Sequence, residues 1–280
     1  MVRCATSWPL SMMAREQPLQ THAMRLRRFL LRKPLASLTR NGIYVTAAFA
    51  CAMLLTSSRS IAAESDAVPS FKVIDSLEAR VQGCVTCHGQ SGQGTNNGYF
   101  PRIAGKPAGY LFNQLKAFRN GTRKYPPMNY LVAYLPESYL QEMAEHFSKL
   151  QPPFSEREIT PAAPAIIERG QALVTHGDAS KGIPACIACH GERLTGMEPG
   201  IPGLAGLRPT YIVAQLTRWQ VGERHAIEPD CMKRIASRLS DEDVTAVAAY
   251  LSRREAPKNL SPESSNLIRM PFACGSQPRP

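Results

Sequence analysis

The feature that most constrains this chain is a five-residue pattern that occurs twice. Cys84-Val85-Thr86-Cys87-His88 is followed by Gly89, and Cys186-Ile187-Ala188-Cys189-His190 is followed by Gly191. Two cysteines three positions apart lie about one helical turn from each other, so both thiols can reach the vinyl groups of one macrocycle while the adjacent histidine lies beneath its metal. Cys-x-x-Cys-His is the attachment signature of c-type haem. Paired Cys-x-x-Cys knuckles also bind zinc. Here, however, the pairs are about a hundred residues apart, each has its own histidine, and each sits in its own copy of a repeat. One shared four-cysteine site leaves the histidines and the duplication unexplained. The chain is therefore expected to fold around two covalent haem c groups, held by Cys84, Cys87, Cys186 and Cys189.

The surroundings of the motif repeat as well. Pro202-Gly203-Leu204-Ala205-Gly206 matches Pro101-Arg102-Ile103-Ala104-Gly105 at an offset of 101. At the same offset Tyr110, Gln114, Leu115, Phe118, Gly121 and Arg123 meet Tyr211, Gln215, Leu216, Trp219, Gly222 and Arg224. Further on the offset becomes 104, where Met128, Leu131 and Leu135 meet Met232, Ile235 and Leu239. An internal match with small drifts in loops marks a duplicated domain. Apolar residues recur at helical spacing throughout. A helix through Phe71, Ile74, Leu77 and Val81 is expected to end at Gly83, just before the first motif. A second follows Pro107 and closes at Asn120-Gly121. A third carries Leu140, Met143, Phe147 and Leu150. In the second copy a helix spans 165–176, and a last one is opened by Ser240 with Asp243 as a capping box. Tyr125 to Asn129, with two prolines, reads as extended and stiff. No strand pattern of any length is present. The fold class is all-α, with domains at 64–150 and 165–254, a proline-rich linker at 151–164 and a tail at 255–280. Domains this small have limited core, and a haem supplies much of the missing apolar interior.

His88 and His190 are the expected proximal ligands. The second axial position needs enough chain to wrap the ring edge, and Met128 and Met232 follow their histidines by 40 and 42 residues. A thioether suits haem iron and raises its potential relative to a second histidine. The plainer role of each methionine is core filling; repetition of position favours ligation. Met197 lies too close to His190 to reach the opposite face, Met143 reads as core, and Met270 is in the tail. A proximal histidine needs its Nδ1 proton bonded to a fixed acceptor. Pro101 and Pro202 are placed to offer a carbonyl, although either also reads as a plain turn proline. Tyr110, Tyr211, Phe118 and Trp219 read as packing against the haem. His146, His176 and His225 have no motif around them. No residue is expected to be catalytic.

The formal charge of +11 first suggests nucleic acid or an anionic membrane. A basic stretch from Arg25 to Arg40, the apolar run Ile43–Leu55 and the small residues from Ser57 to Ala63 have the order of a secretory signal peptide. Residues 1–63 read as that signal, starting at Met24 and cleaved after Ala62 or Ala63, with a retained anchor as the alternative. Cys51 lies inside the apolar run and is not read as a lipidation site. The segment holds nine of the 33 basic residues and one of the 22 acidic ones, leaving 24 and 21, a net of +3. Nucleic-acid binding then loses its support. Export to the periplasm suits covalent haem attachment.

Two Cys-x-x-Cys-His-Gly motifs, each followed by Pro-x-x-Ala-Gly, Tyr-x-x-x-Gln-Leu, Gly-x-Arg and a methionine, resemble the cytochrome c4 family over residues 71–253. The resemblance implies two class I cytochrome c domains related by a pseudo-twofold, with His88/Met128 and His190/Met232 on the irons. It implies electron transfer in the periplasm between redox partners such as a quinol-oxidising complex and a terminal oxidase. Membrane association would come through a partner or an uncleaved N-terminus. The alternatives are a cytochrome subunit of a membrane dehydrogenase or oxidase complex, and a dihaem thiosulfate-oxidising enzyme. Three features depart from the family pattern: the stiff Tyr125–Met128 segment, the long extensions, and Cys231 and Cys274. That cysteine pair reads as a disulfide tying the tail to the ligand loop, as free thiols, or with Cys231 as a thiolate ligand.

Overall fold

The Ser76 hydroxyl accepts the Ala79 N–H at 3.3 Å and so opens the first helix, α1, Leu77–His88. The computed structural model describes residues 75–156, 158–267 and 269–277. The segment read as a signal peptide lies outside them. Contrary to expectation, α1 does not end at Gly83. It runs through the whole Cys-x-x-Cys-His segment and stops at Gly89, where φ is 82°. Val81 and Val85 are both buried, and Gly83 faces Leu131. Burying that face outweighs the roughly 1 kcal/mol that one interior glycine costs a helix.

The first half continues with α2 (Ala108–Arg119), α3 (Pro126–Val132) and α4 (Glu137–Lys149). Helix α3 corrects the expectation of an extended segment at 125–129. Pro126 and Pro127 occupy the first helical turn, where the missing N–H has no intrahelical partner to lose and φ is already set. Only Tyr125, the residue before them, is extended (φ −162°, ψ 101°).

The second half has α5 (Pro164–Thr175), a 3₁₀ turn at Ala179–Lys181, and the single-turn α6 (Ile187–His190). Strand β1 (Gly196–Met197) then pairs antiparallel with β2 (Ile201–Pro202), a small hairpin the sequence does not announce. Helices α7 (Pro209–Gln220), α8 (Cys231–Ala236) and α9 (Asp241–Arg253) complete it. The Ser240/Asp243 capping box is present. Helices α5 and α9 cross at Gly170, where an added Cβ would lie 2.0 Å from the Ala246 carbonyl oxygen. Only glycine permits that approach. Among the described residues no helix is long and apolar enough to cross a membrane.

Each half has its own core. Val81, Val85, Leu111, Phe118, Leu140, Met143 and Phe147 cluster in the first, and Leu173, Val174, Leu216, Trp219, Val244, Val247 and Leu251 in the second. The connection between them is tied down. Arg102 donates to the carbonyls of Pro152 (2.6 Å) and Pro153 (3.1 Å), and its guanidinium lies 4.4 Å from the centre of the Phe154 ring. The tail is held as well: Cys274 forms a disulfide with Cys231, and Met270 and Phe272 pack on the cluster containing Met197 and Ile201.

Candidate functional site

Both motif histidines end a helix, and both are buried, at 8% (His88) and 6% (His190) exposure. His88 Nδ1 lies 2.8 Å from the Pro101 carbonyl oxygen, and His190 Nδ1 lies 2.7 Å from that of Pro202. A carbonyl can only accept, so Nδ1 carries the proton and Nε2 keeps a free lone pair. These acceptors are the two repeated prolines, which settles their role against a plain turn. Burial pushes the His88 imidazole down and that of His190 down to about 4, partly opposed by the proline carbonyls. Both rings are neutral at pH 7, the form that binds metal.

None of the four motif cysteines is engaged in a disulfide, so all four are available to a haem. Burial pushes Cys84 and Cys189 up to about 11 and Cys186 up to about 12. All four, both histidines, Met128 and Met232 line one continuous cavity of about 850 Å³ that runs through both halves. Met128 sits in the first turn of α3 and Met232 in the first turn of α8. The structure thus brings His88 and Met128, and His190 and Met232, to the same space. Met197 is fully buried in the β hairpin and Met143 in the first core. His146 packs against Phe147, His176 Nδ1 lies 2.8 Å from Thr175 Oγ1, and His225 Nε2 lies 3.0 Å from the Gly222 carbonyl. Cys231 is bonded to Cys274, so neither the free-thiol nor the thiolate-ligand reading describes this structure.

Where the halves meet, two arginines reach across reciprocally. Arg123 donates to Gln114 (2.9 Å) in its own half and to Tyr211 and Gln215 (both 2.9 Å) in the other. Arg224 donates to its own Gln215 (2.8 Å) and to Gln114 (3.0 Å) and Tyr110 (3.3 Å) opposite. Residues 123 and 224 also form an antiparallel bridge. Arg102, Lys106, Arg123 and Arg224 are all buried and all line the cavity, yet among the described residues none pairs with a carboxylate. Among the described residues, Arg123 Nε and Trp219 Nε1 are buried donors without a partner.

This arrangement fits haem. The apolar walls suit the ring faces, neutral imidazole and thioether suit the iron, and four buried cations with two free donors suit propionates, of which two haems bring four. The cations were not singled out from sequence. Arg123/Arg224 and Gln114/Gln215 carried a signal, being polar residues repeated on an otherwise apolar pattern. Lys106 carried none, because its repeat position is Leu207.

Comparison with known proteins agrees. The cytochrome c family model matches residues 79–144 and 167–254, one match in each half. A thiosulfate dehydrogenase electron acceptor of Thiomonas intermedia is 36% identical over 182 residues, 65% of this chain and 81% of that protein. Cytochrome c4 of Pseudomonas aeruginosa is 30% identical over 176 residues, 62% of this chain and 85% of the relative. The crystal structure of reduced cytochrome c4 from Pseudomonas stutzeri superposes with a TM-score of 0.55 at 28% identity, covering 63% of this chain and 95% of that one. A thiosulfate dehydrogenase (TsdBA) structure from Marichromatium purpuratum has a TM-score of 0.56 at 32% identity, over 62% of this chain. This chain spans only 36% of that longer one. Fold and site together define a helical two-domain c-type cytochrome that carries two covalent haem c groups. More narrowly, the chain belongs to the cytochrome c4 family, whose members are dihaem electron-transfer proteins.

Proposed function

We propose that this chain is a periplasmic electron carrier whose donor is a thiosulfate-oxidising enzyme. In this reading Cys84 and Cys87 hold one haem c and Cys186 and Cys189 the other. His88/Met128 and His190/Met232 are the axial pairs. Haem c, when bound, supplies a one-electron ferric/ferrous couple. The chain's own residues orient it, exclude water and saturate it. Pro101 and Pro202 hold the imidazoles as neutral Nδ1–H tautomers.

The observation that carries the reading is that each half offers both a histidine and a methionine to the cavity, while no Asp or Glu lines it among the described residues. Two saturated centres without a proton-moving carboxylate suit carriage of single electrons and leave no open position for a substrate. The donor is inferred from the relatives: two proteins each 36% identical are named as thiosulfate dehydrogenase electron acceptors. A terminal oxidase at the other end of the path remains part of the proposal.

The test mixes oxidised holoprotein with thiosulfate alone and then with a catalytic amount of a thiosulfate dehydrogenase. Thiosulfate alone is expected to leave both haems oxidised, and the added enzyme to reduce both. Steady turnover by the chain alone would show an enzyme instead of a carrier. Reduction by a quinol-oxidising complex but not by the thiosulfate enzyme would refute the donor.

A further inference from the structure

Lys106 is where the duplication breaks. Position 106 corresponds to Leu207, so only the first half has an amine here. Lys106 is 7% exposed, and its Nζ crosses to the second half, donating to the Gly203 carbonyl oxygen at 2.5 Å. Gly203 directly follows Pro202, whose carbonyl holds His190 Nδ1. Lys106 and His190 line the same cavity, and the Lys106 bond falls one residue from the carbonyl that holds the His190 ring. Burial and the like charge of Arg102 push the Lys106 ammonium down to about 7, and among the described residues no carboxylate pairs with it.

We infer that Lys106 is a cation lent by the first half to the second haem site, where it raises the reduction potential of that haem. The inference rests on His190 being an axial ligand, as proposed above. A positive charge held near a centre that alternates between ferric and ferrous favours the less positive, ferrous form. Burial weakens the screening that would remove this effect at a surface. A purely structural role predicts the opposite sign. If Lys106 only clamped the loop of Pro202, removing it would loosen the carbonyl's hold on His190 Nδ1–H. The ligand would become less basic and the potential would rise.

Three substitutions separate the two. Lys106→Gln keeps a donor for Gly203 but removes the charge, Lys106→Met removes both, and Lys106→Arg keeps the charge. Each holoprotein is titrated potentiometrically with spectra at pH 6, where the wild-type ammonium is mostly protonated. The two waves are assigned to halves by which methionine methyl signal disappears in reduced Met128→Ala and Met232→Ala proteins. At fixed ambient potential the second haem's reduced-to-oxidised ratio is expected to fall roughly tenfold in Lys106→Gln and Lys106→Met, about 59 mV for one electron. Lys106→Arg is expected to match wild type, and the first haem is expected to stay put. The proposal stands or falls on Lys106→Gln, the variant that preserves the hydrogen bond. An unmoved second wave, a rise, or an equal shift of both waves overturns it. A haem count below two in wild-type holoprotein, from the pyridine haemochromogen, would instead refute the reading of the sites themselves.

Discussion

A proximal histidine serves iron only as the neutral tautomer with Nε2 bare, and here one carbonyl per site selects that tautomer. In the ligand set proposed above, Met128 and Met232 complete the two pairs. Replacing either Met128 or Met232 with alanine is expected to abolish about half of the methionine-to-ferric-iron charge-transfer absorption, lower one of the two potentials, and let carbon monoxide bind one iron. Wild-type holoprotein binding carbon monoxide readily at both irons would show that the methionines are not ligands. The histidines stood out in the sequence because they belong to a short repeated motif, and the methionines because they recur at equivalent positions 40 and 42 residues later. The buried cations did not. Arg123 and Arg224 acquire their meaning only when the halves dock, and Lys106 acts on a site about a hundred residues away that its own repeat unit does not contain.

At the scale of elements, the second half depends on the α5–α9 crossing. Gly170→Ala forces a methyl group into the Ala246 carbonyl and is expected to cost about 1–3 kcal/mol, seen as a melting temperature lower by several degrees. Asp243 reinforces the same crossing, pairing with Arg169 (2.8 Å) and Lys181 (2.6 Å) while closing the α9 cap. Burial alone would raise its carboxyl, but the hydrogen bonds from Arg169 and Lys181 and the Ser240 backbone hold it well below the usual range. Asp178 is held at about 2 by Ser180 and Arg169. Both folded values are depressed, so this stability is present above the ordinary value of 3.8 and is lost as pH falls through the folded values. Circular dichroism melts should therefore weaken below pH 4. Asp243→Asn should be destabilised by roughly 2 kcal/mol at pH 7 and show a shallower acid dependence. An acid profile identical to wild type would remove Asp243 from the account. The helices at 108–119, 137–149 and 241–253 could be read from periodicity and caps. The continuous α1 and the helical α3 could not. Tertiary burial overrode Gly83, and two prolines that argue against helix in general are welcome in a first turn.

At the scale of the molecule, the halves are clasped by polar bonds that return in reverse across the joint. Arg123 and Arg224 exchange partners, Lys124 N–H donates to Glu223 O at 3.2 Å, and His225 N–H donates to Thr122 O at 2.8 Å. Neutral acceptors satisfy geometry but not charge. Three buried guanidiniums and the partly protonated Lys106 amine face one cavity and repel one another, and each buried charge without a counter-ion costs several kcal/mol. The propionates of two bound haems would supply the balancing carboxylates, so joint and cofactor would form one thermodynamic unit, and removing the haems should open the joint before it melts either helical core. Chain with Cys84, Cys87, Cys186 and Cys189 replaced by serine carries no covalent haem. It is expected to be cut rapidly in the segment 151–163 by a nonspecific protease, and to show a larger radius of gyration by small-angle scattering, while holoprotein resists. Raising salt should slow the cutting of the haem-free chain, since the repulsion that opens its joint becomes screened once water enters. Equal protease resistance with and without haem would mean that the glutamine, tyrosine and backbone acceptors hold the joint unaided.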